Sequence, residues 1–135
     1  MLVDKPLLLK SFKLVVACEP RFTHHFYDLL FAHHPRTKEL FHRKSREVQE
    51  RLLFETLSLV LERLDDADYL EEKLGPLGDA HVQYGVTPEM YDWVQDALIS
   101  TLAHVLGPAW SIELDRNWRE AYRRIKEAML RTGKS

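Results

Sequence analysis

The sequence predicts an all-α single domain. Apolar residues recur at three- and four-residue spacing in nearly every segment, as one face of a helix requires. No segment sustains the period-two alternation of a half-buried strand. Glycine and proline fall almost entirely where one apolar-periodic run ends and the next begins.

Leu8, Leu9, Phe12, Val15 and Val16 define a first amphipathic helix. Glu19-Pro20 interrupts it, and Pro20 suits the first turn of a second helix. That helix carries Phe22, Phe26, Tyr27, Leu29, Leu30 and Phe31 as far as His34-Pro35, where the residue before proline is pushed out of helical geometry. A short helical turn follows over 36–41. From Ser45 a longer helix is expected, with Val48, Leu52, Leu53, Leu57, Val60, Leu61 and Leu64 as its apolar stripe. Asp65-Asp66-Ala67-Asp68 closes it as a solvated turn or helix start, since the central glycine and spacing of a calcium loop are missing. Gly75-Pro76 is expected to divide the next segment and to open a short helix bearing His81, ended by Gly85. Thr87-Pro88 starts a long helix reaching Leu106, Gly107-Pro108 breaks it, and Ser111 caps a last helix through Leu114, Trp118, Tyr122, Ile125 and Met129. One domain is expected over 1–135, its core over about 7–131.

Composition narrows the function. The chain is 45% hydrophobic and 30% charged with a net charge of -2, which argues against a nucleic-acid binder. A single cysteine, Cys18, excludes an internal disulfide and a cysteine-based zinc site, and fits a reducing compartment. The N-terminus lacks the basic start and apolar centre of a signal peptide, and no run approaches the ~20 apolar residues of a membrane span. A cytoplasmic protein is expected. The pairs His24-His25 and His33-His34 are read as surface or rim residues, because neighbours on a helix diverge by about 100° and do not converge on one ion.

His81 poses the functional question, set between Gly78 and Gly85 with Tyr84 close behind. Three blocks bear on it: Leu74-x-x-Leu77-Gly78-x-x-His81-x-x-Tyr84-Gly85-Val86 with Pro88-x-x-Tyr91; Phe26-Tyr27-x-x-Leu30-Phe31-x-x-x-Pro35-x-x-x-x-Leu40-Phe41; and Trp118-x-x-x-Tyr122. In this order and spacing the chain resembles a bacterial single-domain globin, similar to the haem domain of flavohaemoglobins, from about Leu8 to Met129.

That resemblance implies a globin fold without a separate reductase domain, holding haem b (iron protoporphyrin IX). His81 matches the proximal histidine and metal ligand. Its other ring nitrogen is expected to donate to a backbone carbonyl one turn earlier. Phe41 matches the aromatic packed on the macrocycle, Tyr27 and Gln49 the distal hydrogen-bonding pair, and Leu53 the apolar distal residue. Tyr91 matches a proximal-side tyrosine, and Tyr84, Val86 and Val94 complete the cofactor-contacting set. Gln49 and Leu53, four apart, share one helix face.

Two departures from the family pattern stand out. The segment between Phe41 and Gln49 is slightly short. The position where flavohaemoglobins carry a glutamate paired with the proximal tyrosine falls at about Gly133, so the His–Tyr–Glu network is expected to be incomplete, weakening the case for oxygen activation. The leading expectation is reversible binding of dioxygen, with CO and NO as further gas ligands, in a monomer or homodimer. The alternatives are nitric oxide dioxygenation with a separate reductase and a haem-based gas sensor module.

Overall fold

The computed structural model describes residues 3–41 and 44–133. Among them the regular structure is helical throughout: α1 (Lys5–Cys18), α2 (Phe22–His33), α3 (Arg46–Glu62), α4 (Ala67–Tyr84), α5 (Pro88–Leu106) and α6 (Ile112–Gly133), with 3-10 segments at Pro35–Phe41 and Gly107–Ala109. Positions 42 and 43, in the segment expected to be short, lie outside the described residues, as do the first two residues of the N-terminus.

Side-chain caps set several helix starts by satisfying backbone N–H groups that have no partner within the helix. Asp4 accepts from the Leu7 amide at 3.1 Å, Asp66 from Tyr69 at 3.0 Å, Ser45 from Val48 at 3.3 Å and Ser111 from Leu114 at 3.0 Å. Thr87 occupies the expected cap position of α5, but its side chain makes no cap hydrogen bond. Proline at the first turn starts that helix instead. Pro20 lies before α2 rather than in its first turn. There the Glu19 carbonyl accepts from the Phe22 amide and the Glu19 carboxylate from the Arg21 amide, so a tight turn takes up those residues.

Pro76 does not divide its segment; α4 runs through it from Ala67 to Tyr84. A proline inside a helix removes one hydrogen bond and costs about 3 kcal/mol. Tertiary packing offsets that cost, because α4 and α6 share the broadest contact between helices in the molecule. Leu70, Leu74, Gly75 and Gly78 are buried on α4. At Gly78 the approach is so close that a Cβ would stand 2.2 Å from the Met129 carbonyl oxygen. Local chain chemistry predicts a break here, and the packing of two helices overrides it.

The core joins both ends of the chain. Phe12 packs edge-on against Phe22 at 5.8 Å, with Phe54 and Trp118 adjoining. The buried Trp118 indole donates to the Ser11 hydroxyl at 3.0 Å, and that hydroxyl donates to the Leu8 carbonyl at 2.7 Å. Asp4 and Asn117 exchange hydrogen bonds of 2.9 and 2.8 Å, fastening the start of α1 to α6.

Candidate functional site

The end of α4 places His81. After it the chain turns through Gly85, in the left-handed region at φ 91°, where a residue without Cβ is unstrained. The Val86 amide donates to the His81 carbonyl at 2.9 Å and the Gly85 amide to Val82 at 3.1 Å, the paired bonds of a Schellman turn. This reversal brings the start of α5 back beside α4. The Tyr91 hydroxyl then stands 3.1 Å from His81 Nδ1. The ring's partner is thus a side chain of α5 and not the carbonyl one turn earlier that the sequence suggests. Tyr91 is itself held, since the buried Tyr122 hydroxyl donates to its backbone carbonyl at 2.6 Å. The position expected for the family's glutamate is Gly133, the last residue of α6.

Burial lowers the His81 pKa below the ordinary histidine value, because desolvation penalises the imidazolium. The ring is therefore neutral near pH 7. In the tautomer that carries its proton on Nδ1, facing the Tyr91 hydroxyl, Nε2 has the free lone pair that a metal ligand needs.

A second group lies on α2, the first 3-10 segment and α3. Tyr27, Phe41 and Gln49 line one cavity of about 520 Å³, together with Phe31, Pro35, Lys38, Glu39 and Arg46. Tyr27 is 5% exposed, and its ring packs against Phe26, Phe31 and Phe41 at centroid distances of 4.9, 5.7 and 5.4 Å. Burial, reinforced by the Glu50 charge and opposed by Arg46, pushes the Tyr27 hydroxyl far above the usual phenol range. It is a protonated donor at any physiological pH.

The cavity exists because α3 is unevenly buried. Its fully buried residues, Leu57, Val60 and Leu61, all fall in the second half of the helix, while Arg46, Gln49 and Glu50 in the first half are only part-buried. Leu53, Val86 and Val94 are part-buried against the core, whereas Tyr84 is 44% exposed. His81 is not among the residues lining the Tyr27 cavity. Arg46 and Glu50 carry no expectation from the sequence, and Tyr122 is expected only as a motif residue of the last helix, not as a partner of Tyr91. An Arg and a Glu four apart read as an ordinary surface pair, and a late tyrosine reads as core.

Comparison with known proteins decides the family. The globin family model matches residues 24–129. The chain belongs to the globin family. A "Flavohemoprotein" of Halalkalibacterium halodurans is 27% identical over 83% of this chain, and one of Vibrio cholerae 26% identical over 86%. The globin chain spans only 28% and 30% of those two proteins. An "Uncharacterized globin-like protein" of Aquifex aeolicus is 33% identical over 74% of this chain and 70% of its own length. Membership of this family implies haem binding. The residues suit that group in their chemistry: a part-buried histidine with Tyr91 at Nδ1, and, apart from it, a cavity lined by the aromatic Tyr27, Phe31 and Phe41 beside Lys38, Glu39, Arg46 and Gln49. No helix among the described residues is long and apolar enough to cross a membrane.

Proposed function

We propose that this globin holds haem b through His81 and binds dioxygen reversibly in the Tyr27 cavity, as an oxygen store or carrier of the cytoplasm. One observation carries the reading. A histidine kept neutral and oriented by Tyr91 occurs in the same small domain as a cavity holding a buried, protonated tyrosine and a glutamine.

Bound haem supplies ferrous iron with a position open to a diatomic gas. His81 Nε2 would hold it, with Tyr91 fixing the plane of the imidazole. Tyr27 would offer a hydrogen bond to a gas held in the cavity and so slow its release, with Gln49 supporting that donor. Phe41 and Leu53 exclude water and so retard oxidation. The hydroxyl of Tyr91 is a neutral partner, and a neutral imidazole suits reversible binding better than oxygen activation.

The likeness to flavohemoproteins favours a second reading, nitric oxide dioxygenation. Each turnover there consumes one electron, which a separate reductase would provide. Absorption spectra of the ferric, ferrous, ferrous-CO and ferrous-dioxygen protein test the leading reading in wild type and His81→Ala. Repeated dioxygen uptake and release without oxidation, lost in the variant, is the expected result. Spectra indifferent to His81 would remove the ligand assignment. Sustained NO consumption with an added reductase would move the function to the second reading.

A further inference from the structure

Four charged or titratable side chains close a ring across α2 and the first two turns of α3. His24 Nδ1 stands 2.9 Å from the Glu50 carboxylate, and its Nε2 3.3 Å from Asp28. Arg46 meets Glu50 at 3.1 Å and Asp28 at 2.5 Å, and also donates to the His24 backbone carbonyl at 2.8 Å. Each helix contributes two members, so the ring is a cross-link. Its place is specific: Asp28 directly follows Tyr27, Glu50 directly follows Gln49, and Arg46 is itself part of the cavity wall.

Part-exposed ion pairs of this kind contribute little to overall stability one at a time. A closed set that includes a backbone acceptor does something else, since it fixes geometry. Here geometry needs fixing, because the first two turns of α3 have no buried residue, and its packing on the aromatic core begins only at Leu53 and Phe54. We infer that the His24–Asp28–Arg46–Glu50 ring is a positioning device for the gas site. It holds the start of α3 against α2 and thereby sets the separation of the Tyr27 hydroxyl from the Gln49 amide and the width of the cavity mouth. The inference rests on the reading of Tyr27 as the donor to the bound gas.

The test is the infrared C–O stretching band of the ferrous protein under CO, paired with the dioxygen dissociation rate by stopped flow. Wild type is compared with Arg46→Met, Asp28→Asn, Arg46→Lys and Tyr27→Phe. Asp28→Asn retains the Arg46–Glu50 pair, so it reports even where Arg46→Met fails to fold. Tyr27→Phe should move the band to the frequency of an unbonded ligand. Asp28→Asn and Arg46→Met should split the wild-type band, with one component at the Tyr27→Phe frequency. Both should speed dioxygen release about tenfold, the effect of losing one charge-assisted hydrogen bond. Arg46→Lys, which keeps the charge but not the two-sided reach, should fall between them and wild type. Ring variants with a single unshifted band and a wild-type release rate, beside a shifted Tyr27→Phe, would overturn the inference alone. A Tyr27→Phe protein identical to wild type would overturn the reading of Tyr27 and the inference with it.

Discussion

At the level of single residues, His81 and Tyr91 carry the most chemistry. Tyr91→Phe removes the hydroxyl 3.1 Å from His81 Nδ1 and leaves the packing surface nearly intact. Loss of such an orienting partner typically weakens metal binding 10- to 100-fold, so haem transfer to an excess of acceptor globin should quicken by about tenfold or more. An unchanged transfer rate would show that Tyr91 does not orient the ring. Burial also makes His81 a source of pH dependence. Its folded pKa lies below its unfolded one, so the unfolded chain binds more protons as the pH falls through the ordinary histidine range. The haem-free protein should therefore lose stability on acidification through that range, and His81→Ala should lose less. Denaturant midpoints at a series of pH values check this; parallel profiles for the two proteins would contradict it.

The resemblance to globins, and not spacing alone, singled out Tyr27, Phe41 and Gln49, and these three line one cavity. The charged ring was not legible. Its i,i+4 pairs, His24 with Asp28 and Arg46 with Glu50, look like routine helix-surface pairs, and only the packing of α2 on α3 joins them.

At the level of elements, the caps and breakers were readable because they act within four residues of sequence. Asp66, Ser45, Ser111 and Gly85 each satisfy local backbone groups, and the helices start or stop with them. Pro76 misleads because the interaction that keeps α4 continuous lies more than fifty residues away in sequence, at Met129 on α6. Gly78 gives a direct probe of that contact. Gly78→Ala favours the helix locally by roughly 1 kcal/mol, yet its Cβ would collide with the Met129 backbone. Overpacking should prevail, with a net loss of about 2 kcal/mol in denaturant unfolding. Since Gly78 lies one turn before His81, weaker haem retention should accompany it. A stabilised Gly78→Ala protein would mean that α4 and α6 are not held so closely.

Among the described residues the core draws on α1, α2, the first part of α4, α5 and α6, with a less densely buried flank formed by the start of α3 and the end of α4. A ligand that binds only the folded state stabilises what it touches in proportion to its affinity. Haem removal should therefore raise amide hydrogen exchange in residues 46–54 and 78–86, while α1 and the middle of α6 stay protected. Uniform loss of protection across the chain would instead show that the core depends on haem as a whole. The all-α class was readable from periodicity, but the depth of burial along α3 was not. Its apolar stripe runs evenly through Leu53, Leu57 and Leu61, and only the arrangement of neighbouring helices leaves its first half facing a cavity.

The most direct test of the central claim is the resonance Raman spectrum of the ferrous protein, in wild type and in His81→Ala supplied with imidazole. The account predicts an iron–histidine stretching band in wild type, replaced in the variant by the band of exogenous imidazole. A wild-type spectrum without that band, or one unchanged by the substitution, would contradict His81 as the haem ligand.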